Sequence, residues 1–344
     1  MKTITAISLV LLTAFSAGAE CFKVQVPFGE EFEGSTTYLY DYGNGTKVDS
    51  AIVKDKVAVF KGDVDEPYLA MIVAGEGRSG KQFAPFVLEG GSISFNAKDQ
   101  AFGSMLNDSM RQYLDSTEVF AGNFRKAVSD SERQAIYNSY LDFNRKTMSE
   151  NADNPISLFV FLQDAGQLDG KGLRAVLSQY PSLGKYERVK KILERLEMSE
   201  RTQPGKKFVD FEITYDGKTS RLSDYVGKGK YTLVDFWASW CGPCMRQAAV
   251  LKDIYNEYHD KGLDVLGVAV WDEPENTRAA IRQHGLPWPN ILNAQSIPTD
   301  LYGISGIPCI ILFGPDGTII SRDKQGDELK ADVRAAMEGQ TVKP

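Results

Sequence analysis

Short runs of alternating hydrophobic and polar residues dominate the first hundred residues of the chain. Residues 22–26 alternate with a period of two, which is typical of a strand with one buried face, and residues 68–73 form an apolar run of strand length. Asn44-Gly45 is a turn signal between such runs. The pattern predicts an antiparallel β domain over residues 20–103, arranged as a small sandwich or a barrel-like sheet.

The pattern changes to a helical period in the next hundred residues. Pro155 follows Asn154 and can occupy the first turn of a helix. Residues 186–196 carry apolar side chains at helical spacing, with charged residues between them. We therefore predict a helical region over residues 104–200.

The last part of the chain alternates between strand and helix patterns. Residues 231–238, 263–270 and 307–313 are nearly continuous apolar runs, as expected of strands that are buried on both faces. Residues 327–337 form a candidate terminal helix. This order predicts an α/β domain over residues 201–344, with a mixed central sheet flanked by helices.

The first nineteen residues have the features of a secretory signal peptide. A positive charge near the start precedes the uncharged, mainly apolar residues 4–15, and Ala17-Gly18-Ala19 fits the small-residue cleavage pattern. The apolar stretch is well below the roughly 20 residues that a membrane-spanning helix needs. We expect cleavage after Ala19 and export to the periplasm. Cys21 raises the alternative of a lipid anchor in the membrane, although Glu20 before it matches the lipoprotein pattern poorly.

Composition narrows the function classes further. The 344 residues include 39 Lys and Arg against 46 Asp and Glu, which gives a net charge of −7 and lacks the basic footprint of a nucleic-acid binder. Two His argue against a His-rich metal site, and four Cys are too few for a disulfide scaffold of this length. We expect no nucleic acid, no metal and no cofactor.

One pair of cysteines carries the strongest chemical signal. Cys241 and Cys244 form a C-x-x-C directly after the predicted strand 231–238. Zinc sites use the same spacing, but zinc usually needs two further ligands, and His259 and His284 are not arranged as such a pair. A strand, a C-x-x-C and then a helix is instead typical of redox sites. Because a helix N-terminus favours a thiolate, we expect Cys241 to attack a substrate disulfide and Cys244 to resolve the mixed disulfide.

The residues around this pair match a known family. The segment 234–244, VDFWASWCGPC, strongly resembles the active-site segment of thioredoxin, and Gly306-Ile307-Pro308 resembles the cis-proline segment. Residues 208–225 and 271–304 look like the lead-in hairpin and central insertion of exported TlpA/ResA-type oxidoreductases. The N-terminal part looks like a domain of unknown function that is often fused to such modules. The resemblance implies a thioredoxin-like fold for residues 201–344.

The same resemblance assigns catalytic roles. Cys241 is the nucleophile and Cys244 the resolving thiol, and together they form a redox-active disulfide. Asp235 matches the buried acid that relays the proton of the resolving thiol, and burial should raise its pKa towards neutrality. The alternative for Asp235 is a structural, hydrogen-bonded carboxylate.

Other residues are implied to contact the substrate or to modify the site. The expected substrate-binding residues are Trp240, Gly242, Pro243, Ile307 and Pro308. Pro308 should be cis beside the cysteines, and its neighbour should present backbone groups to an extended chain. Cys309 departs from the family pattern, where Thr is common. It is either a modulator of the redox pair or a small buried side chain.

The direction of the reaction is read from the residues between the cysteines. Gly-Pro resembles the strongly reducing thioredoxins, which favours a reductase of disulfides in periplasmic proteins. Such a reductase needs a membrane electron donor for recycling. The alternatives are a disulfide oxidase or isomerase, and a binding module in residues 20–200 with an attached redox domain.

Overall fold

The computed structural model describes residues 19–75, 80–340 and 342. Nearly all of the signal-peptide prediction, residues 1–18, lies outside the described residues. The chain divides into two compact units, residues 1–190 and 191–344. No helix among the described residues is both long and apolar enough to cross a bilayer.

The first unit begins with two small sheets. Their strands are β1 (Glu20–Pro27), β2 (Thr36–Asp41), β3 (Thr46–Ile52), β4 (Val57–Val64), β5 (Tyr68–Ala74), β6 (Lys81–Gln82), β7 (Phe86–Leu88), β8 (Gly91–Phe95) and β9 (Ala101–Phe102). One sheet has the order β4-β1-β8-β9, and the other runs β3-β2-β5-β6 with β7 also paired to β5. The predicted antiparallel β region is confirmed, although β1 and β8 pair in parallel, from Phe22–Gly91 to Gln25–Ser94.

Alternation along the strands builds the core of this unit. In β1 the side chains of Val24 and Val26 are fully buried, while Gln25 between them is partly exposed. Phe60 on β4 and Ile72 on β5 join the same core from the two sheets. In β1 the period of two therefore produced one apolar face, as predicted.

Helices follow the sheets and confirm the predicted helical segment. Their bounds are α1 (Met105–Lys126), α2 (Asp130–Glu150), α3 (Pro155–Asp164), α4 (Gly170–Gln179) and α5 (Glu187–Arg201). Pro155 occupies the first turn of α3, and the side chain of Asn154 accepts a hydrogen bond from the Ile156 amide at 3.0 Å. At α1 the buried carboxylate of Glu89 accepts the Leu106 amide at 2.8 Å. These contacts satisfy amides that a helix start leaves without an intrahelical partner.

The second unit is the predicted α/β domain. Its strands are β10 (Glu212–Tyr215), β11 (Lys218–Arg221), β12 (Tyr231–Trp237), β13 (Leu263–Ala269), β14 (Asn290–Ile291), β15 (Cys309–Phe313) and β16 (Ile319–Arg322). Its further helices are α6 (Gly242–Tyr258), α7 (Pro274–His284), α8 (Ile297–Tyr302) and α9 (Gly326–Met337). The central sheet has the order β14-β13-β12-β15-β16. Because β12 is parallel to β13 but antiparallel to β15, the sheet is mixed and the thioredoxin-like fold class is confirmed.

Each face of this sheet has its own apolar core. Leu233 and Trp237 on β12 pack with residues of α6 and α9, whereas Val234 and Phe236 pack in the core of the opposite face. Strand β12 is therefore buried on both sides, which explains its continuous apolar run. Since α6 begins five residues after β12 ends, the loop between them lies at the carboxyl end of the parallel strands.

Candidate active site

Cys241 and Cys244 lie at the start of α6 and are joined by a disulfide, with their Cα atoms 5.2 Å apart. Cys241 is the N-cap residue, and its Sγ accepts a hydrogen bond from the Cys244 amide at 3.1 Å. Cys244 is fully buried, whereas Cys241 keeps a small exposed fraction of 4%. The first sulfur thus faces the positive end of the helix, where a thiolate would be stabilised after reduction.

The predicted cis-proline segment lies beside the disulfide. The peptide bond between Ile307 and Pro308 is cis, as the resemblance implies. The Cys241 Sγ is 3.8 Å from the carbonyl oxygen of Ile307. Gly242 and Pro243 are exposed at the helix start. The structure therefore brings these residues, separated by more than sixty positions, to one surface around the first sulfur.

Trp240 borders the same surface. Its side chain is 55% exposed, yet its indole Nε1 donates a hydrogen bond to the Trp271 carbonyl oxygen at 2.9 Å. An exposed aromatic ring with its polar atom already satisfied can contact an apolar group of a bound chain.

Asp235 is a buried acid in the middle of β12. Only 4% of it is exposed, and burial raises its pKa from 3.8 to about 7. Strand alternation places it on the face of Leu233 and Trp237, the face on which the buried Cys244 also packs. Its Oδ1 has no hydrogen-bond partner among the residues that the structure describes. A carboxyl group with this pKa can accept or return a proton at neutral pH.

Cys309 follows the cis-proline but packs in the core of the opposite sheet face, together with Phe236. Its Sγ lies 3.2 Å from Oδ1 of Asp323, whose Oδ2 accepts the Arg322 Nε–H at 2.8 Å. Burial, followed by the negative charge of Asp323, raises the pKa of the Cys309 thiol well above its usual value. This thiol is therefore protonated at neutral pH and donates to Asp323.

Cys21 lies far along the chain from this site. It is exposed, forms no disulfide and pairs in register with Asp63 across β1 and β4. The hydrogen bond and the negative charge of Asp63 raise the pKa of its thiol. No group of three or more potential metal ligands occurs within residues 19–75, 80–340 and 342.

Two residues near the site were missing from the sequence prediction. Gln247 is buried on α6, one turn after Cys244, and its Oε1 accepts the Gly326 amide at 3.2 Å. Asp272 is buried three residues after the end of β13 and accepts the Ser239 amide at 2.8 Å. The spacing of Gln247 from Cys244, about one helical turn, could have identified Gln247. The position of Asp272 after a buried parallel strand could have identified that acid, since parallel strands end at the same sheet edge.

Comparison with protein-family models finds two matches along the chain. Residues 204–322 match the AhpC/TSA family, and residues 22–110 match a domain of unknown function, DUF4369. The first match contains both cysteines and the cis-proline. The second covers most of the two N-terminal sheets.

Curated relatives and solved structures cover a similar part of the chain. The thiol-disulfide oxidoreductase ResA of Geobacillus thermodenitrificans is 29% identical over 136 residues, which is 39% of this chain and 75% of the relative. ResA of Bacillus subtilis is 27% identical over 105 residues, 30% of this chain and 58% of the relative. A thioredoxin domain of a Bacteroides vulgatus thiol-disulfide oxidoreductase is 30% identical, with a TM-score of 0.35, over 41% of this chain and 99% of that one.

Proposed function

We propose that this thiol–disulfide oxidoreductase, whose C-terminal part is a thioredoxin-like AhpC/TSA domain related to ResA, works as a reductase of disulfides in exported proteins. The observation that carries the proposal is the Cys241 sulfur at the start of α6, with Asp235 buried on the face where Cys244 packs.

The first step uses reduced Cys241. Its thiolate attacks one sulfur of a substrate disulfide, so that a mixed disulfide forms and the other substrate sulfur leaves as a thiolate that takes up a proton. The Cys244 amide, 3.1 Å from the Cys241 sulfur, and the dipole of α6 stabilise the attacking anion. The carbonyl of Ile307 and the cis-proline beside it offer backbone groups to an extended substrate chain.

The second step releases the substrate. The Cys244 thiol gives its proton to the Asp235 carboxylate, and the resulting thiolate attacks the Cys241 sulfur. The second substrate sulfur then leaves as a thiolate, which takes up a proton. Asp235 suits this step because its pKa is about 7, close to the ambient pH.

The structure holds the product of this sequence, the Cys241–Cys244 disulfide. Two electrons and two protons must return from a dithiol donor before the next turnover. We propose a membrane electron donor for this recycling, since an exported protein has no access to cytosolic reductants.

The direction of the reaction rests on the Gly-Pro pair between the cysteines. Thioredoxin has a reduction potential of about −270 mV, whereas a strong oxidant such as DsbA has one of about −120 mV. Equilibration with glutathione buffers should give a potential near the thioredoxin value. A potential near the DsbA value would support the oxidase alternative instead.

A trapping experiment tests the catalytic roles. In Cys244→Ser the second step is lost, so Cys241 should accumulate as mixed disulfides with exported proteins, which mass spectrometry can identify. Cys309→Ser is the matched control because that thiol packs on the opposite sheet face, and it should trap nothing. Absence of trapped partners from Cys244→Ser, or equal trapping by the control, would contradict the assignment.

Export is proposed on the sequence of residues 1–19. N-terminal analysis of protein from the native host should find a mature chain that starts at Glu20 in the periplasm. A chain that starts at an acylated Cys21 would support the lipoprotein alternative.

A further inference from the structure

Asp272 is buried in the loop that follows β13, three residues after that strand ends, and both of its carboxylate oxygens are occupied by hydrogen bonds. Oδ2 accepts the Ser239 amide at 2.8 Å and the Thr277 hydroxyl at 2.7 Å. Oδ1 accepts the Ser239 hydroxyl at 2.8 Å and the Glu273 amide at 3.0 Å. One carboxylate therefore holds Ser239, two residues before the nucleophile, through both its backbone and its side chain.

Trp271, the neighbour of Asp272, holds the residue between Ser239 and Cys241. Its carbonyl oxygen accepts the indole N–H of Trp240 at 2.9 Å. Trp271 has a φ of 52°, a left-handed conformation that is unusual for a bulky side chain. Such a conformation persists where surrounding contacts over-determine it, and it aims this carbonyl at the active-site loop.

The 271–272 corner, formed by Trp271 and Asp272, is itself fixed from the other side. The carbonyl oxygen of Asp272 accepts the Gln295 side-chain amide at 2.9 Å, and Thr277 belongs to α7. Residues of the insertion between β13 and β15 thus anchor the corner, and the corner anchors the loop that precedes α6. The catalytic step described above does not use any of these groups.

We propose that the 271–272 corner positions the exposed Trp240 ring as a rigid wall beside the Cys241 sulfur, so that the enzyme favours disulfides whose cysteine is flanked by an apolar or aromatic residue. This inference rests on the proposed function. A fixed indole binds an apolar neighbour with a smaller loss of side-chain freedom than a mobile one. Asp272 is accordingly a positioning residue for substrate selection.

The test compares three substrates in steady-state reduction assays with the full chain. Two are synthetic disulfide-linked peptides that differ only in the residue beside the cysteine, Phe in one and Ser in the other; the third is oxidised glutathione. Wild type should show a kcat/KM about tenfold higher for the Phe peptide, the scale of discrimination that one apolar pocket gives. The difference should appear in KM.

Two variants separate positioning from chemistry. In Asp272→Asn the amide N–H₂ must face a backbone N–H, because each carboxylate oxygen accepts one such donor. Trp240→Phe keeps an aromatic ring but cannot donate to Trp271. Both should raise KM for the Phe peptide towards that of the Ser peptide, and Asp272→Asn should change kcat/KM for the Ser peptide less than about twofold. Asp332→Asn is the matched control, because that carboxylate accepts a hydrogen bond from Ser321 on β16 instead. It should keep the preference.

The outcomes distinguish this inference from the proposed function. If wild type reduces all three substrates without preferring the Phe peptide, or if Asp272→Asn keeps the preference while folding normally by urea denaturation, the positioning role is wrong. If Asp272→Asn does not fold, Trp240→Phe alone decides: a retained preference overturns the role. If wild type reduces none of the substrates, the proposed function itself fails.

Discussion

At the scale of single residues, Asp235 shows how a sequence pattern exposes a functional group. An acid inside an apolar strand is costly, so its presence in residues 231–238 predicted a task or a buried partner. The structure buries Asp235 and gives its Oδ1 no hydrogen-bond partner among the described residues. The same reasoning could not identify Asp323 as the partner of Cys309. Asp323 directly follows β16, and only the pairing of β15 with β16 brings it to Cys309.

The raised pKa of Asp235 predicts how stability depends on pH. Between pH 4 and pH 7 the folded state holds a proton that the unfolded state has lost, because the pKa rises from 3.8 to about 7 on folding. Stability should therefore fall as pH rises through this window and level off above it. A rise of the pKa from 3.8 to about 7 corresponds to a loss of unfolding free energy on the order of 4 kcal/mol.

The side chain of Asp235→Asn cannot ionise, so the stability of this variant should not show the fall between pH 4 and pH 7. The variant should therefore be more stable than wild type at about pH 8. Urea denaturation of the oxidised protein at several pH values measures this pH dependence of stability. The control is Asp253→Asn on the surface of α6, where Lys330 is its partner at 2.9 Å. Parallel profiles of stability against pH for wild type and Asp235→Asn would show that burial does not keep the carboxyl group protonated.

Asp235→Asn should also slow release of the substrate.

A second prediction at this scale concerns three of the four thiols of the reduced protein, which differ in their environments. Cys309 is 2% exposed with a raised pKa, so iodoacetamide should leave it unmodified in the folded state and reach it only after unfolding. Cys241 should react first, because the helix start favours its thiolate. Mass mapping of the modified peptides measures both, with the exposed Cys21 as an accessible reference. Rapid labelling of Cys309 in the native protein would instead support its role as a redox modulator.

At the scale of elements, the sequence predicted most accurately the elements whose signals are local. The strand β12, the start of α6 and the cis-proline each follow from a few adjacent residues. The strand predicted over 307–313 begins only at Cys309, since Pro308 has no amide N–H for a ladder. The parallel pairing of β1 with β8 joins residues almost seventy positions apart. Hydrophobic alternation fixes which face of a strand is buried but carries no information on such a partner.

Gly267 on β13 lies where side chains from the two neighbouring strands, β12 and β14, leave no room for a Cβ atom. A Cβ at this position would lie 1.9 Å from Oδ1 of Asn290 and 2.9 Å from Nε1 of Trp237, which are hydrogen-bonded to each other at 3.1 Å. Gly267→Ala should therefore displace this bond and lower the free energy of unfolding by about 1–3 kcal/mol. Because Asn290→Ala removes the same bond, the double variant should lose less than the sum of the two single losses. Additive losses would show that the glycine is required for another reason.

At the scale of the whole molecule, the division into compact units does not coincide with the family match. The second unit begins at residue 191, whereas the AhpC/TSA match begins at residue 204. The sequence prediction started the α/β domain at residue 201, but α5 continues to Arg201 and its last turns contact residues of the second unit. A Cβ on Gly303 would lie 2.3 Å from the carbonyl oxygen of Arg195, which shows how closely the two backbones approach.

Arg322 explains why these turns belong with the redox domain. Its guanidinium is almost fully buried, and Nη1 donates to the Thr202 hydroxyl at 2.6 Å and to the Thr202 carbonyl at 3.0 Å. Its other partners are Asp323 and the carbonyl of Tyr302. A shortened chain that keeps Thr202 preserves this network. One that starts at the family boundary leaves a buried charge with fewer partners, which is costly.

We therefore predict different behaviour for two shortened chains, residues 191–344 and residues 204–344. The longer one should fold and reduce oxidised glutathione within about twofold of the full chain, since the redox site and the Arg322 contacts lie within it. The shorter one should be less stable by about 2–4 kcal/mol, because Arg322 loses both Thr202 contacts. Urea denaturation and the glutathione assay measure these differences, and equal stability would show that α5 does not support the site. If the longer chain keeps activity on glutathione but loses it on protein disulfides, the N-terminal unit binds substrate, whereas full activity on both would leave that unit without a part in the reaction.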